Sequence, residues 1–357
     1  MNLTNRLKKL RQSFAEKEID AILISQPENR YYLSNFDGSA GFLLVTPQNA
    51  ILATDFRYIE QGKIQAPDHE IHRITNDMAD WLPQLVAGLN LKRVGFEATH
   101  ITFALYRQLT NILNKAHSPL RLVPIDGLVE SLRAVKEPEE IELITRAVEL
   151  TDNALEYLED MIHTGMSEKE VAWEIEKLLR EKGSQPLPFD IIVASGPNSA
   201  LPHAKPSDRT INSSEPIIID IGARIEGYCS DLSRTLCLGT PDDTFNRIYD
   251  TVLGAQLASL AILKEAMSGS EVDSLARTVI EEAAYGEAFG HGLGHGIGLA
   301  PHEMPRLGPN STDKITQGMV FTIEPGIYLP GWGGVRIEDV AVIENNKARV
   351  ISKARKV

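Results

Sequence analysis

Two stretches decide how this chain is read. They are Ile217-Ile218-Ile219-Asp220-Ile221-Gly222 and, beyond a turn offered by Arg224 to Gly227, Tyr228-Cys229-Ser230-Asp231-Leu232. Each is an apolar run of strand length carrying one carboxylate. A turn centred between Ile225 and Glu226 makes Asp220 and Asp231 direct cross-strand partners. The design recurs in Val320-Phe321-Thr322-Ile323-Glu324 and Val335-Arg336-Ile337-Glu338, joined by Pro330-Gly331-Trp332-Gly333-Gly334. Directly opposed side chains have Cβ atoms only ~5 Å apart, and like charges there are destabilising. Two such pairs on apolar strands call for a cation between them.

A single Asp at a strand end is ordinarily a turn or surface residue, and Arg224 or Arg234 offers Asp231 a partner. A third element outweighs that reading. His291-Gly292-Leu293-Gly294-His295-Gly296-Ile297-Gly298-Leu299-Ala300-Pro301-His302-Glu303 lies between the two hairpins. Histidines at i and i+4 form a zinc pattern on a helix, but four glycines argue against a helix. The stretch reads as a loop whose glycines allow close backbone approach. It lacks the third glycine of a dinucleotide fingerprint, and the chain contains no His-Glu-x-x-His. His295 with Asp220, Asp231, Glu324 and Glu338 is a hard, oxygen-rich donor set with one borderline ligand. It suits manganese, cobalt or zinc. Four carboxylates exceed the needs of one divalent ion. Two ions sharing bridging carboxylates are expected, ~3.5–4 Å apart, with a hydroxide between them as nucleophile.

Composition sets the frame. A chain of 357 residues exceeds the usual single domain, so two domains are expected. Apolar content of 43% and charged content of 24% are those of a globular protein. No apolar run approaches the ~20 residues that span a bilayer. A net charge of −13 argues against nucleic acid and anionic membrane as partners. Met1 to Lys17 is charged and helix-patterned, without the apolar core of a secretory signal, so a cytoplasmic location is expected. Cys229 and Cys237 are too few for a disulfide framework.

Leu3, Leu7, Leu10 and Phe14 mark an amphipathic first helix. Strand-like runs follow at 21–25, 41–46 and 49–54, and helical and strand patterns alternate up to the turn Pro124-Ile125-Asp126-Gly127. The expected domains are therefore 1–127 and 128–357. The second is expected to hold helices at 138–161, 168–180, 243–267 and 271–284. The first of these opens on Pro138. The second opens on the capping box Ser167-Glu168-Lys169-Glu170. Gly165 and Gly269, and likewise Asp220 and Glu324, are the same 104 residues apart. A helix–helix–hairpin unit used twice would place one hairpin from each copy about a pseudo-twofold axis. His69, His72, His100, His117 and His163 lie outside these motifs and read as surface or loop residues.

These segments resemble the pita-bread metallopeptidases, specifically the Xaa-Pro branch of aminopeptidase P and prolidase. The resemblance extends to Arg133-Ala134-Val135-Lys136, Asn29-Arg30-Tyr31-Tyr32-Leu33-Ser34 and Gly38-Ser39-Ala40-Gly41, so it covers nearly the whole chain. It implies an α/β N-terminal domain of creatinase/prolidase type and an α+β pita-bread catalytic domain with internal pseudo-twofold symmetry. Asp220 resembles the ligand that chelates one metal, His295 and Glu324 the ligands of the other, and Asp231 and Glu338 the two bridges. All five match, which separates the chain from metal-free relatives such as creatinase. Glu324 also resembles the carrier of the proton from the attacking water, and His302 the donor to the carbonyl or oxyanion. His203, in Ala200-Leu201-Pro202-His203-Ala204, and His291 look like substrate-pocket histidines. Tyr328 and Arg336 resemble substrate-side partners.

The implied activity is hydrolysis of an Xaa-Pro bond at a peptide N-terminus with two divalent ions, manganese first and cobalt or zinc next. Gly38-Ser39-Ala40-Gly41 resembles aminopeptidase P more than the dipeptide-restricted prolidase, so the aminopeptidase is the expectation. Methionine aminopeptidase has the same five ligands, but the large N-terminal domain and Arg336 speak against it. Intact ligands speak against a noncatalytic binding protein on this fold. The resemblance further implies a homodimer, with the loop Asn35 to Gly41 near the active site, in one version that of the partner subunit.

Overall fold

The computed structural model describes residues 2–75 and 77–356. Its backbone divides into two units, Met1–Arg133 and Ala134–Val357. The boundary falls near the end of a helix, a few residues past the Asp126-Gly127 turn.

The N-terminal unit runs α1 (Leu3–Gln12), β1 (Ala21–Ile24), α2 (Pro27–Ser34), β2 (Phe42–Val45), β3 (Ala50–Thr54), α3 (Ile59–Gln65), β4 (Glu70–Arg73), α4 (Met78–Val86), β5 (Arg93–Glu97), α5 (Phe103–Lys115), β6 (Arg121–Ile125) and α6 (Leu128–Ala134). Its six strands form one sheet in the order β4-β3-β2-β1-β5-β6. β5 lies parallel to both β1 and β6, whereas β2 is antiparallel to both β1 and β3. Central β1 is buried along its length, as expected for strands covered on both faces, which read as unbroken apolar runs. Buried Arg30 donates to the carbonyls of Gly38 (2.5 Å) and Gly41 (2.8 Å), so Gly38-Ser39-Ala40-Gly41 is shaped from within this unit. His69 is not a surface residue. It is buried, and its Nε2 meets Leu33 O at 3.1 Å.

The C-terminal unit runs α7 (Pro138–Met161), α8 (Glu168–Glu181), β7 (Ile192–Ser195), β8 (Pro216–Ile221), β9 (Arg224–Ile225), β10 (Tyr228–Cys229), β11 (Leu232–Cys237), α9 (Asp243–Ile262), α10 (Gly269–Glu282), β12 (Gly294–Gly296), β13 (Glu303–Leu307), β14 (Val320–Ile323), β15 (Gly326–Leu329), β16 (Gly333–Arg336), β17 (Asp339–Glu344) and β18 (Lys347–Val350). α7 carries Pro138 at its first turn, and α8 is closed by the Ser167–Glu170 capping box. α9 stops at Ile262, short of the expected 267, because the chain turns extended at Leu263 and Ala266 N bonds to Ile315 O. α10 is capped by Ser268, not by a residue equivalent to Gly165, so the caps are Ser167 and Ser268.

The same order of elements occurs twice. α7 and α8 precede the antiparallel set β7-β8-β11, and α9 and α10 precede the antiparallel set β12-β14-β17. Each helix pair buries its apolar stripe on its own strands. Leu158, Val171 and Leu179 pack with Ile217, Ile219 and Leu232. Val252, Val272 and Ile280 pack with Phe321, Ile323 and Val335.

Candidate metal centre

In the first hairpin Asp220 faces Ser233, and Ile225 faces Tyr228. One register runs through both pairs, so the turn residues are Glu226 and Gly227. Both are left-handed, with φ of 48° and 85°, the form that matches hairpin twist. The expected direct pairing of Asp220 with Asp231 is therefore not what forms. Gly227 occupies the second left-handed position without steric conflict, which moves the turn centre one residue along. Asp231 falls opposite Gly222 and becomes a diagonal, same-face neighbour of Asp220. Gly222 has no room for a side chain: a Cβ there would lie 2.6 Å from both Phe189 and Pro188. In the second hairpin Ile323 faces Asp339 and Gly326 faces Arg336. That single register sets Glu324 opposite Glu338, the opposition the sequence implies.

His295 lies in strand β12, not in a loop. Glycines at 292, 294 and 296 recur with period two. A Cβ on Gly294 would collide with Thr322 O, and one on Gly296 with Met304 O. The glycine face thus lies against neighbouring backbone while Leu293, His295 and Ile297 alternate with it. This alternation was the available signal for a strand. His295 Nδ1 sits 3.1 Å from Gly296 O and so carries the proton. Its Nε2 faces Glu324 Oε1 (3.3 Å) and Asp231 Oδ2 (3.6 Å): without a metal it carries a proton toward Glu324, and a metal there would take its lone pair instead.

One donor atom each from Asp231, His295 and Glu338 lie within 4.8 Å of one another. Glu338 Oε2 accepts from Ser233 Oγ (2.8 Å), Glu324 Oε1 from Thr322 Oγ1 (3.1 Å) and Asp220 Oδ2 from Arg336 Nη2 (2.7 Å). The other oxygens of Asp220 and Glu338 are buried without a protein donor. Buried acceptors left unpaired are rare and expensive. Orphaned lone pairs inside a ring of acids, with an imidazole nitrogen aimed at the same space, fit divalent cations.

The electrostatics agree. Burial, then the charge of Glu338, pushes the Asp231 carboxyl well above its ordinary range. Burial, then Glu324 and Asp220, does the same to Glu338. Burial would raise Glu324 too, but the hydrogen bond and charge of His295, with Arg336 beyond it, override it and hold the group at about 2. His295 shows the reverse balance. Burial disfavours its charge, yet Glu324 raises it above the ordinary imidazole range.

The remaining site residues form the rim. The His302 ring is 4.1 Å from that of His295, and burial followed by the His295 charge lowers its pKa. Arg336 Nη1 donates to Tyr328 Oη at 3.0 Å, which leaves the Tyr328 proton for His291 Nε2 at 2.9 Å. His291 Nδ1 meets Gly292 O at 2.7 Å. The relay fixes His291 as a neutral ring, the form that its burial also favours. Arg336 further donates to Ser233 Oγ (2.8 Å) and Pro202 O (3.2 Å). His203 is exposed beside Pro202, close enough for its charge to bear on both His291 and His302. All ten residues singled out in the sequence converge here.

Sequence reasoning missed the supports. Arg234 does not pair with Asp231. It reaches Asp339 Oδ1 at 2.8 Å, the carbonyls of Ala354 and Arg355 at 2.8 Å, and Glu338 O. Lys136 and Glu303 form a buried pair at 2.8 Å. The signal for Arg234 was a basic residue inside an otherwise buried strand, which demands partners.

Comparison with known proteins follows the same division. Residues 142–345 match metallopeptidase family M24, and residues 6–135 match the creatinase/prolidase N-terminal domain. The Xaa-Pro dipeptidase of Pyrococcus furiosus is 36% identical over 99% of each chain. The solved Xaa-Pro dipeptidase from Bacillus anthracis superposes with a TM-score of 0.96 at 40% identity, covering 100% of this chain and 99% of that one. The X-Pro aminopeptidase from Thermotoga maritima superposes with a TM-score of 0.88 at 36% identity, covering 97% and 99%. The chain belongs to metallopeptidase family M24 and is a metallopeptidase with a creatinase/prolidase-type N-terminal domain.

Proposed function

We propose that this metallopeptidase hydrolyses Xaa-Pro bonds, with Xaa-Pro dipeptides as its preferred substrates. The observation that carries the reading is the buried convergence of Asp231, His295 and Glu338 within 4.8 Å, flanked by Glu324, Asp220 and the Arg336–Tyr328–His291 relay. The proline preference rests on relatives named Xaa-Pro dipeptidase. The expectation of an aminopeptidase came from Gly38-Ser39-Ala40-Gly41, a segment that Arg30 accounts for locally. The aminopeptidase remains the second reading, because a relative at 36% identity bears that name.

Asp220, Asp231, His295, Glu324 and Glu338 would hold two divalent ions, manganese first, with Asp231 and Glu338 shared. When bound, such ions supply Lewis acidity that activates water near neutral pH and polarises a carbonyl. Glu324 takes the proton of the attacking water and returns it to the departing proline nitrogen. His302 donates to the carbonyl oxygen as negative charge develops on it. His203 and neutral His291 contact the peptide, and Arg336 orients Asp220. The tertiary amide before proline has no N–H, so the ring is selected by apolar shape.

We further expect a cytoplasmic homodimer. Among the described residues no helix is long and apolar enough to cross a membrane, and sedimentation would report the assembly. The test of function compares Xaa-Pro dipeptides, Xaa-Pro-Yaa tripeptides and Met-Ala-Yaa peptides, each with manganese, cobalt and zinc. Dipeptide cleavage with proline second is expected. Preferential tripeptide cleavage would favour the aminopeptidase, and release of Met from Met-Ala-Yaa with Xaa-Pro peptides left intact would overturn both readings.

A further inference from the structure

Each half of the C-terminal unit buries a carboxylate on its second helix, and neither belongs to the metal centre. On α8 it is Glu168, which has no exposed surface. Capping does not explain it, since Glu170 completes the box with Ser167. Glu168 Oε1 accepts from Ser195 N (2.7 Å) and Ser195 Oγ (2.8 Å), where β7 ends. Glu168 Oε2 accepts from Ser207 N (3.0 Å) and Ser207 Oγ (2.6 Å). Asn198 Nδ2 donates to both oxygens at 3.1 Å. One carboxylate thus clamps both ends of segment 195–207, which carries His203. The middle of that segment is tied down by Gly334 N on Ser199 Oγ (2.8 Å) and by Arg336 on Pro202 O. His203 itself is exposed, so its own packing does little to hold it.

On α10 the counterpart is Asp273. Its Oδ1 accepts from Leu293 N at 3.0 Å, and both its oxygens take Arg277. Arg277 in turn donates to Phe289 O and His291 O, each at 2.8 Å. Leu293 O accepts from Glu324 N at 2.8 Å. Asp273 and Arg277 therefore grip the chain at and around His291.

We propose that Glu168 and Asp273 are positioning residues, Glu168 for His203 and Asp273 for His291. The inference rests on reading these histidines as substrate-side groups. A buried carboxylate is retained where several donors converge on it, and such charge-assisted bonds are short and directional. Both acids spend those bonds on backbone and hydroxyl groups of the histidine segments. In Glu168→Gln one end of the side chain becomes an N–H donor facing N–H and O–H donors. Whichever way the amide turns, one end of the 195–207 segment is released.

The test uses manganese-loaded protein and two readouts. Hydrogen exchange should show faster exchange at 196–206 in Glu168→Gln, with β8 and β14 still protected. Unchanged exchange in that segment would overturn the proposal whatever the substrate. In crossed double-mutant cycles on an Xaa-Pro dipeptide, Glu168→Gln should lower kcat/KM roughly tenfold, mainly through KM. That loss should vanish in a His203→Ala background and persist in a His291→Ala background, with the converse for Asp273→Asn. Equal losses in both backgrounds would reduce Glu168 to a general support and refute the assignment. If wild-type protein leaves the dipeptide intact, the substrate reading fails while the exchange result still decides the clamp. Should Glu168→Gln fail to fold, Glu168→Asp keeps the charge but is too short to span both ends, and the same outcomes apply.

Discussion

Removing bound metal should turn the centre into a liability, and neutralising Asp231 should then stabilise the protein. Donor atoms of Asp231 and Glu338 lie within 4.8 Å of each other. Two full charges at that separation repel by roughly 3.5 kcal/mol at an effective dielectric of about 20. Partial protonation and Arg336 lower this figure and any closer approach of the two groups raises it, so it sets the scale of the effect. Both carboxyls are raised, by burial first and neighbouring acids second. A raised carboxyl holds its proton in the folded state after the unfolded chain has lost it. Metal-free protein should therefore lose stability as pH climbs from about 4 through the raised values, by up to about 1.4 kcal/mol per pH unit for each group. His295, also raised, adds loss as pH rises from the ordinary imidazole range through its folded value. Glu324, held at about 2, contributes stability above the ordinary carboxylate range and loses it only on acidification, so it does not offset the trend. Asp231→Asn removes one charge at nearly constant volume. In chelator-treated protein at pH 8 it should raise Tm by roughly 5 °C for a gain near the repulsion figure, whereas with saturating manganese wild type should be the more stable. Ligation at a hundredfold excess over Kd contributes about 2.7 kcal/mol. A metal-free Asp231→Asn protein less stable than metal-free wild type, or a metal-free wild type equally stable at pH 5 and 8, would refute the reasoning.

Two further outcomes follow from the supports. Arg336→Lys keeps the charge but loses the fork that reaches Asp220, Tyr328, Ser233 and Pro202 together; kcat/KM should fall about 10- to 100-fold with some loss of manganese affinity, read by steady-state kinetics and titration calorimetry. Lys136→Met removes the buried ammonium that pairs with Glu303 and should destabilise the protein by about 1–3 kcal/mol in urea unfolding, with most of the loss recovered in Lys136→Met/Glu303→Leu.

Much of this was legible because the strongest signals were periodic or chemical. The 138–161 helix and the Ser167 cap have local causes: a proline in the first turn and a reciprocal side-chain box. The five acid and imidazole positions stand out because charge on an apolar strand needs compensation. The register of the first hairpin was misread because two turn placements differ by a single residue, and the left-handed preference at Glu226-Gly227 decides between them. The 291–303 stretch reads as a loop because four glycines argue against a helix, and that argument does not weigh a strand. Here the glycines are what allow β12 to lie against Thr322 and Met304. Glu168, Asp273 and Lys136 were illegible for another reason. The partners that bury Glu168 lie 27 to 39 residues away, Leu293 lies 20 from Asp273 and Glu303 lies 167 from Lys136, and nothing local distinguishes a buried acid on a helix from the exposed ones beside it.

The interruptions in the hairpins explain how repelling acids are brought together at all. The ladder breaks at 222–223 and 230–231 in the first hairpin, and at 324–325 and 337–338 in the second. Asp231, Glu324 and Glu338 all sit in these breaks, where the register continues through Ser230 N to Ala223 O (2.9 Å) in the first hairpin and Ile337 N to Pro325 O (3.3 Å) in the second. What the ladder no longer supplies, side chains and a cross-hairpin bond do. Glu338 N bonds to Ser233 O, Arg336 N to Thr235 Oγ1, and Ser233 Oγ to Glu338 Oε2. β11 of one half is thus stitched to the β16–β17 segment of the other at the level of Glu338. Regular strands would fix the spacing of the carboxylates by the pleat alone. Interrupted strands joined across the halves let that spacing be set also by the bonds around each carboxylate, which is what a metal centre requires.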